Sequence, residues 1–269
     1  MIRATVHEAA SVARCAAAYP QGILEMATRT GTPCGDLHRD TPVVLVHGYG
    51  HNASAWLMLR AALKRNGFTS VHTMNYNPWT HDVPKLAEKL SDKVEVVKEL
   101  TGSDRVNLVG HSLGGIVCRW YVQEMGGDKT VGTAITLASP HAGTLAAFAG
   151  PGRTARSLRP NSWVMKRLTY FARPTDVRWV AFYGDSDALI QPMRSGSLDV
   201  PALNARNVLV PGMGHLGMLL DGEVVTQVID ELLHPPMPAS ALPLFAKASE
   251  KQRSRTLEGR PREQKSLFA

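Results

Sequence analysis

Ser112 lies in the run "RVNLVGHSLGG", residues 105–115, where an apolar, β-branched stretch stops at glycines on both sides of a serine. A strand-like run ending in G-x-S-x-G and leading into a helix-like one is the pattern of a nucleophile elbow. Gly110, Gly114 and Gly115 remove side chains where a helix and neighbouring strands would crowd the turn. The turn itself holds the serine hydroxyl in a strained conformation above the carboxyl edge of a sheet. The amide of Leu113 then points to where negative charge would develop on an attacked carbonyl, with the positive end of the helix dipole behind it.

A serine hydroxyl is a weak nucleophile until a base takes its proton. In this arrangement an acid and then a histidine follow the serine, each on a loop just beyond a strand. "WVAFYGDSDALIQP" supplies the acid and "NVLVPGMGHLGML" the histidine, His215. Two acids compete, Asp185 and Asp187. Asp187, followed by the apolar "ALI", is preferred, with Asp185 left to hold the turn; the third member is set by geometry, so both stay candidates. His47, His51, His72, His81 and His111 precede or adjoin Ser112, His141 comes too early in the order, and His234 ends the closing helix. A second oxyanion donor belongs on the loop after the first strand, where "VHGYGHNASAW" offers the Tyr49 amide between Gly48 and Gly50. Residues 48–53 also satisfy G-x-G-x-x-A, the dinucleotide fingerprint. That reading expects an acid about 20 residues on, whereas none occurs between Thr41 and Asp82. His7 in "HEAAS" lacks the second histidine of a zinc protease motif, and no Walker A loop is present.

Elements must place these groups. "PVVLVHG", "SVHTMNY", "RVNLVG", "TVGTAITLASP", "VRWVAFYGD" and "RNVLVPG" read as strands, and helix-like runs separate most of them. A helix over about 82–100 has Leu86, Leu90, Val94 and Val97 on one face. Near-continuous apolar strands alternating with helices predict an α/β fold, a mostly parallel central sheet covered on both faces. The expected organisation is an N-terminal helical extension over residues 1–40 (helix at 8–27), a catalytic domain over 41–234 and a tail over 235–269. Residues 141–174, too long for an ordinary loop, read as lid, cap or acyl-wall material.

The chain of 269 residues, 44% hydrophobic, suits one large domain. Three cysteines, Cys15, Cys34 and Cys118, are too few for a disulfide framework, although Cys15 and Cys34 could pair in an oxidising compartment. No apolar run approaches the roughly 20 residues that span a bilayer. The N-terminus has no continuous apolar core of a signal peptide, so the sequence as it stands predicts a cytoplasmic protein, and a secreted one if its start lies upstream. The formal charge is +7, of which the last 35 residues carry a surplus of four. That places much of the excess in a solvated, disordered tail, and no nucleic-acid partner is expected.

With these residues placed, the sequence resembles the bacterial triacylglycerol lipases and esterases of the α/β-hydrolase superfamily, the compact lipases in particular. "VLVHGYG", "VNLVGHSLGG", "TLASPHAGT", "YGDSDALI" and "GMGHLGML" carry the resemblance, from Pro42 to the closing helix, and "LRPNSWVMKRL" resembles the stretch that follows the "SPHAGT" segment. It implies an α/β-hydrolase fold and a triad of Ser112, Asp187 and His215. Tyr49 and Leu113 become the oxyanion-hole residues. The implied activity is cleavage of lipid or acylglycerol esters without cofactor or metal, with transient contact at a lipid interface. Leu145, Phe148, Trp163 and Met165 are expected to form an acyl-binding wall or short lid, against the alternative that they pack as one more core helix. The same triad could serve an acyltransferase or thioesterase. A binding module on this fold would normally show a broken triad.

Overall fold

β-Branched valine, isoleucine and threonine stiffen the runs expected as strands, and all six pair into one sheet. The computed structural model describes residues 2–22 and 35–233. The strands are β1 (Val43–Val46), β2 (Val71–Met74), β3 (Val106–His111), β4 (Val131–Leu137), β5 (Arg178–Gly184) and β6 (Arg206–Val210). Their order is β2-β1-β3-β4-β5-β6 and every neighbouring pair is parallel. The helices are α1 (Ile2–Ala18), α2 (Leu37–Asp40), α3 (Leu57–Arg65), α4 (Val83–Thr101), α5 (Leu113–Glu124), α6 (Gly152–Ser157), α7 (Trp163–Tyr170), α8 (Gly217–Leu220) and α9 (Gly222–Leu233).

Alternate strand residues feed two cores, because successive side chains leave opposite faces of a strand. Val44, Val46, Leu108 and Ala134 pack with α4 and α5, while Val43, Leu45, Val109 and Ile135 pack with α3, α8 and α9. Each fully buried aliphatic side chain contributes about 1.5–3 kcal/mol. Leu86, Leu90, Val94 and Val97 of α4 are all buried, as their spacing predicts. Asp82 caps that helix through Lys85 N, and Gly102 ends it in the left-handed region at φ 71°.

The N-terminal helix differs from the expectation. It runs from Ile2 to Ala18 and gives way to a 3-10 turn at Tyr19–Gly22. Pro20 explains the stop, since it donates no amide hydrogen and disfavours helical backbone before it. The later part of the helix expected to residue 27, Cys34, His234 and the basic tail lie outside the described residues. Cys15 and Cys118 are buried free thiols. Among the described residues no helix is long and apolar enough to cross a membrane.

The segment expected as a lid is built of a 3-10 turn (Leu145–Phe148), α6 and α7. It is pinned from beneath by Arg119 of α5, a buried cation with no carboxylate in reach among the described residues. Its guanidinium donates to His141 O at 2.9 Å and to Leu168 O at 3.0 Å, and its Nε donates to Gln123 Oε1 at 3.1 Å. Burial pulls its pKa down to about 9, which still leaves it charged near neutrality.

Candidate active site

β3 ends at His111 and α5 begins at Leu113, so Ser112 alone makes the turn. Its φ of 53° and ψ of −120° put a residue with a β-carbon where glycine is usually needed. Neighbours hold it there: Ser112 N donates to Leu137 O at 2.8 Å, and Gly115 N donates to Ser112 O at 3.1 Å. Gly114 lies directly against Val46 O of β1, so any larger residue would push α5 off the sheet. Such strain persists only where the surroundings over-determine it.

The loop after β1 packs on the nucleophile. A β-carbon at Gly48 would stand 3.0 Å from Ser112 Cβ and 2.8 Å from His111 Nδ1. Among the described residues the amides of Tyr49 and Leu113 have no acceptor, so both are free to donate. This loop is held by contacts that the sequence did not announce. His47 Nδ1 donates to Gly48 O at 2.8 Å, and the Tyr76 ring stacks on His47 with centroids 4.1 Å apart. The Tyr76 hydroxyl donates to His47 O. Desolvation pushes the pKa of His47 down to about 4, so its ring is neutral and keeps that one donor. The Tyr49 hydroxyl donates to Pro151 O at 2.6 Å, and its ring meets Trp79 edge-on.

On the other side, the loop after β5 carries both acids, and the two have different partners. Asp187 is buried; its Oδ2 accepts from His215 Nδ1 at 2.8 Å, and its Oδ1 accepts from Leu189 N at 2.8 Å and Ile190 N at 3.0 Å. Asp185 instead accepts from Gly212 N at 2.6 Å and holds the turn after β6. His215 follows β6 and is also fixed through its main chain, since His111 Nε2 donates to His215 O at 3.1 Å. Burial and the neighbouring His215 drive the pKa of His111 well below the usual histidine value. Ser112 Oγ forms no hydrogen bond with another described residue. Serine–histidine contacts commonly tighten only around a substrate.

The residues expected as an acyl wall divide. Leu145, Phe148 and Trp163 are 58–59% exposed, whereas Met165 is 3% exposed and belongs to the core. Ser162 caps α7 through Met165 N, and residues two apart on a helix lie about 200° around it. One of that pair must therefore face inward, which corrects the assignment of Met165 to the wall. Trp163 packs edge-on against Trp120 and lines a groove with His81, Asp82 and Arg153, apart from the residues around Ser112. Leu145 is tied to the Asp187 loop, its amide donating to Gln191 O at 2.9 Å, and the Thr144 hydroxyl donates to Leu189 O at 2.6 Å. These bonds link the 3-10 turn that carries Leu145 and Phe148 to the loop that carries exposed Leu189 and Met193. An open cleft of about 500 Å³ borders the Gly50–Asn52 stretch, walled by Tyr19, His51, Asn75, Tyr76 and Trp79. Among the described residues no cluster of His, Cys, Asp and Glu could hold a metal.

An all-parallel sheet with a strained serine between strand and helix, and an acid–histidine pair on later loops, is the architecture of the α/β hydrolases. A family model described as palmitoyl protein thioesterase matches residues 42–197. The chain belongs to that family. The match contains Tyr49, Ser112 and Asp187 and ends before His215. The chain is 30% identical over 131 residues to a triacylglycerol lipase of Burkholderia plantarii, covering 45% of this chain and 36% of that protein. It is 32% identical over 111 residues to a triacylglycerol lipase of Pseudarthrobacter phenanthrenivorans, covering 38% and 34%. The matches thus span about a third of the length of these curated relatives. In fold it is similar to the mature form of Bacillus licheniformis lipase BlEst2, with a TM-score of 0.61 at 18% identity over 72% of this chain and 91% of that one.

Proposed function

We propose that the protein is a serine hydrolase that cleaves carboxylic esters with apolar acyl chains through Ser112, His215 and Asp187. The observation that carries this reading is the 2.8 Å bond from His215 Nδ1 to a buried Asp187, beside a strained serine elbow. Ser112 Oγ attacks the ester carbonyl while His215 Nε2 takes its proton. Asp187 orients the imidazole and stabilises its charged form. The Tyr49 and Leu113 amides receive the oxyanion, each such donor being worth about 3–4 kcal/mol in the transition state. Collapse breaks the carbon–oxygen bond, His215 protonates the departing alcohol, and water then releases the acid by the same route. No cofactor enters these steps. The exposed Leu145, Phe148, Leu189 and Met193 suit an apolar acyl chain and transient contact with a lipid surface.

A second reading is favoured by the family itself, whose description names a thioesterase. The same residues would cleave a thioester, with a thiol as leaving group. Hydrolysis of p-nitrophenyl esters from acetate to palmitate, alongside acyl-coenzyme A thioesters, tests both with wild type and Ser112→Ala. Serine-dependent turnover rising with ester chain length supports the first reading, and turnover confined to thioesters supports the second. Turnover that survives Ser112→Ala, or none from folded protein, sinks both.

A further inference from the structure

We infer that Glu8, on the N-terminal helix, is a positioning residue for His215, so that the N-terminal segment belongs to the catalytic apparatus. The inference rests on the serine-hydrolase reading above. Glu8 Oε1 accepts from Leu216 N at 2.8 Å and Oε2 accepts from Gly217 N at 3.0 Å. These are the two amides that immediately follow His215, reached from more than 200 residues away. The sequence makes room for the carboxylate: a β-carbon at Gly214 would strike it, and one at Gly217 would come within 3.1 Å of His7 Nδ1.

His215 is consequently held at three points. Asp187 holds its ring, His111 holds its carbonyl, and Glu8 holds the backbone that follows. Asp187 and His111 lie inside the family-matched residues 42–197, whereas Glu8 lies outside them. Released from Glu8, those two amides would turn to water, and the loop would sample other conformations. A base displaced by about 1 Å loses on the order of a hundredfold in rate.

The same segment also reaches the other half of the site. Asn52 Nδ2 donates to Tyr19 O at 2.8 Å and Asn75 Nδ2 donates to Gly22 O at 2.9 Å, while Asn75 Oδ1 accepts from Ala53 N at 2.7 Å. Asn52 lies three residues beyond Tyr49. One N-terminal stretch therefore braces both the histidine loop and the loop that bears an oxyanion donor.

The test uses the full chain with Glu8→Ala and Glu8→Gln, the latter keeping the side chain's length should the former fail to fold. Glutamine offers one acceptor oxygen and turns an amide donor toward the second backbone donor. Active sites are titrated with a phosphonate so that kcat refers to competent molecules. The downfield proton on His215 Nδ1 is followed by NMR as a readout that needs no substrate. The expected result is a kcat about 10- to 100-fold lower with KM within about twofold, and an Nδ1 proton that broadens or shifts. A lowered Tm with unchanged kcat and an unchanged proton signal would overturn the proposal and leave Glu8 as packing alone. If Ser112→Ala hydrolyses esters as fast as wild type, the proposed function fails, while the NMR signal still decides the role of Glu8.

Discussion

Asp187 Oδ2 stands 2.8 Å from His215 Nδ1 while its other oxygen takes two backbone amides. That carboxylate cannot turn away from the imidazole without abandoning Leu189 and Ile190. Asp187→Asn should preserve the fold and lower kcat by about 10⁴, because the amide selects the wrong histidine tautomer. Asp185→Ala should lower kcat by less than about tenfold, since it removes turn contacts to Gly212 and Ser186 and none to His215. Steady-state kinetics on both variants would decide; the reverse order of effects would reassign the acid.

Gly48→Ala tests the loop proposed to bear an oxyanion donor. Its β-carbon would press on Ser112 Cβ and the His111 ring. The loop must shift and carry the Tyr49 amide with it. A fall in kcat of about 100-fold is expected, with a Tm within a few degrees of wild type. An unchanged kcat would show that this amide takes no part.

The exposed apolar side chains should separate from the buried one. Phe148→Ser should leave stability unchanged and raise KM for long-chain esters more than for acetate, since the ring is 58% exposed. Met165→Ser should cost about 3 kcal/mol in urea unfolding, through a cavity and an unpaired hydroxyl in the core.

Arg119→Met should also destabilise, by about 2–3 kcal/mol. It relieves the desolvation of a buried cation but leaves His141 O without its donor, while Leu168 O retains Gln123 Nε2. Equilibrium unfolding in urea would measure it. A more stable variant would mean that the cost of burying the charge exceeds the value of its three bonds.

Acid should unfold the protein through its buried imidazoles. Burial depresses the pKa of His47 and of His72 from the usual 6.5 to about 4, so each stays neutral when folded and gains a proton when unfolded. Groups with depressed histidine pKa values contribute stability above the unfolded value and lose it as pH falls toward the folded one. Between pH 7 and pH 5 each should cost about 2 kcal/mol. His47→Gln, measured by urea unfolding across that range, should flatten the loss by about that amount.

Much of this site is legible along the chain because its signals are local. Apolar strands of four to seven residues, helix spacing along α4 and a serine between glycines each depend on neighbours a few positions away. Strands in a parallel sheet deliver their following loops to one edge, so a serine, an acid and a histidine just beyond different strands can meet there. From such patterns the chain by itself determined an α/β sheet, Ser112 at the elbow and His215 on a late loop. Only the tertiary structure set Asp187 against His215 and Asp185 against Gly212, turned Met165 inward, stacked Tyr76 on His47 and brought Glu8 to the loop of His215. These depend on contacts between residues tens to hundreds of positions apart, where the direction of a side chain is set by packing and leaves no periodic trace in sequence.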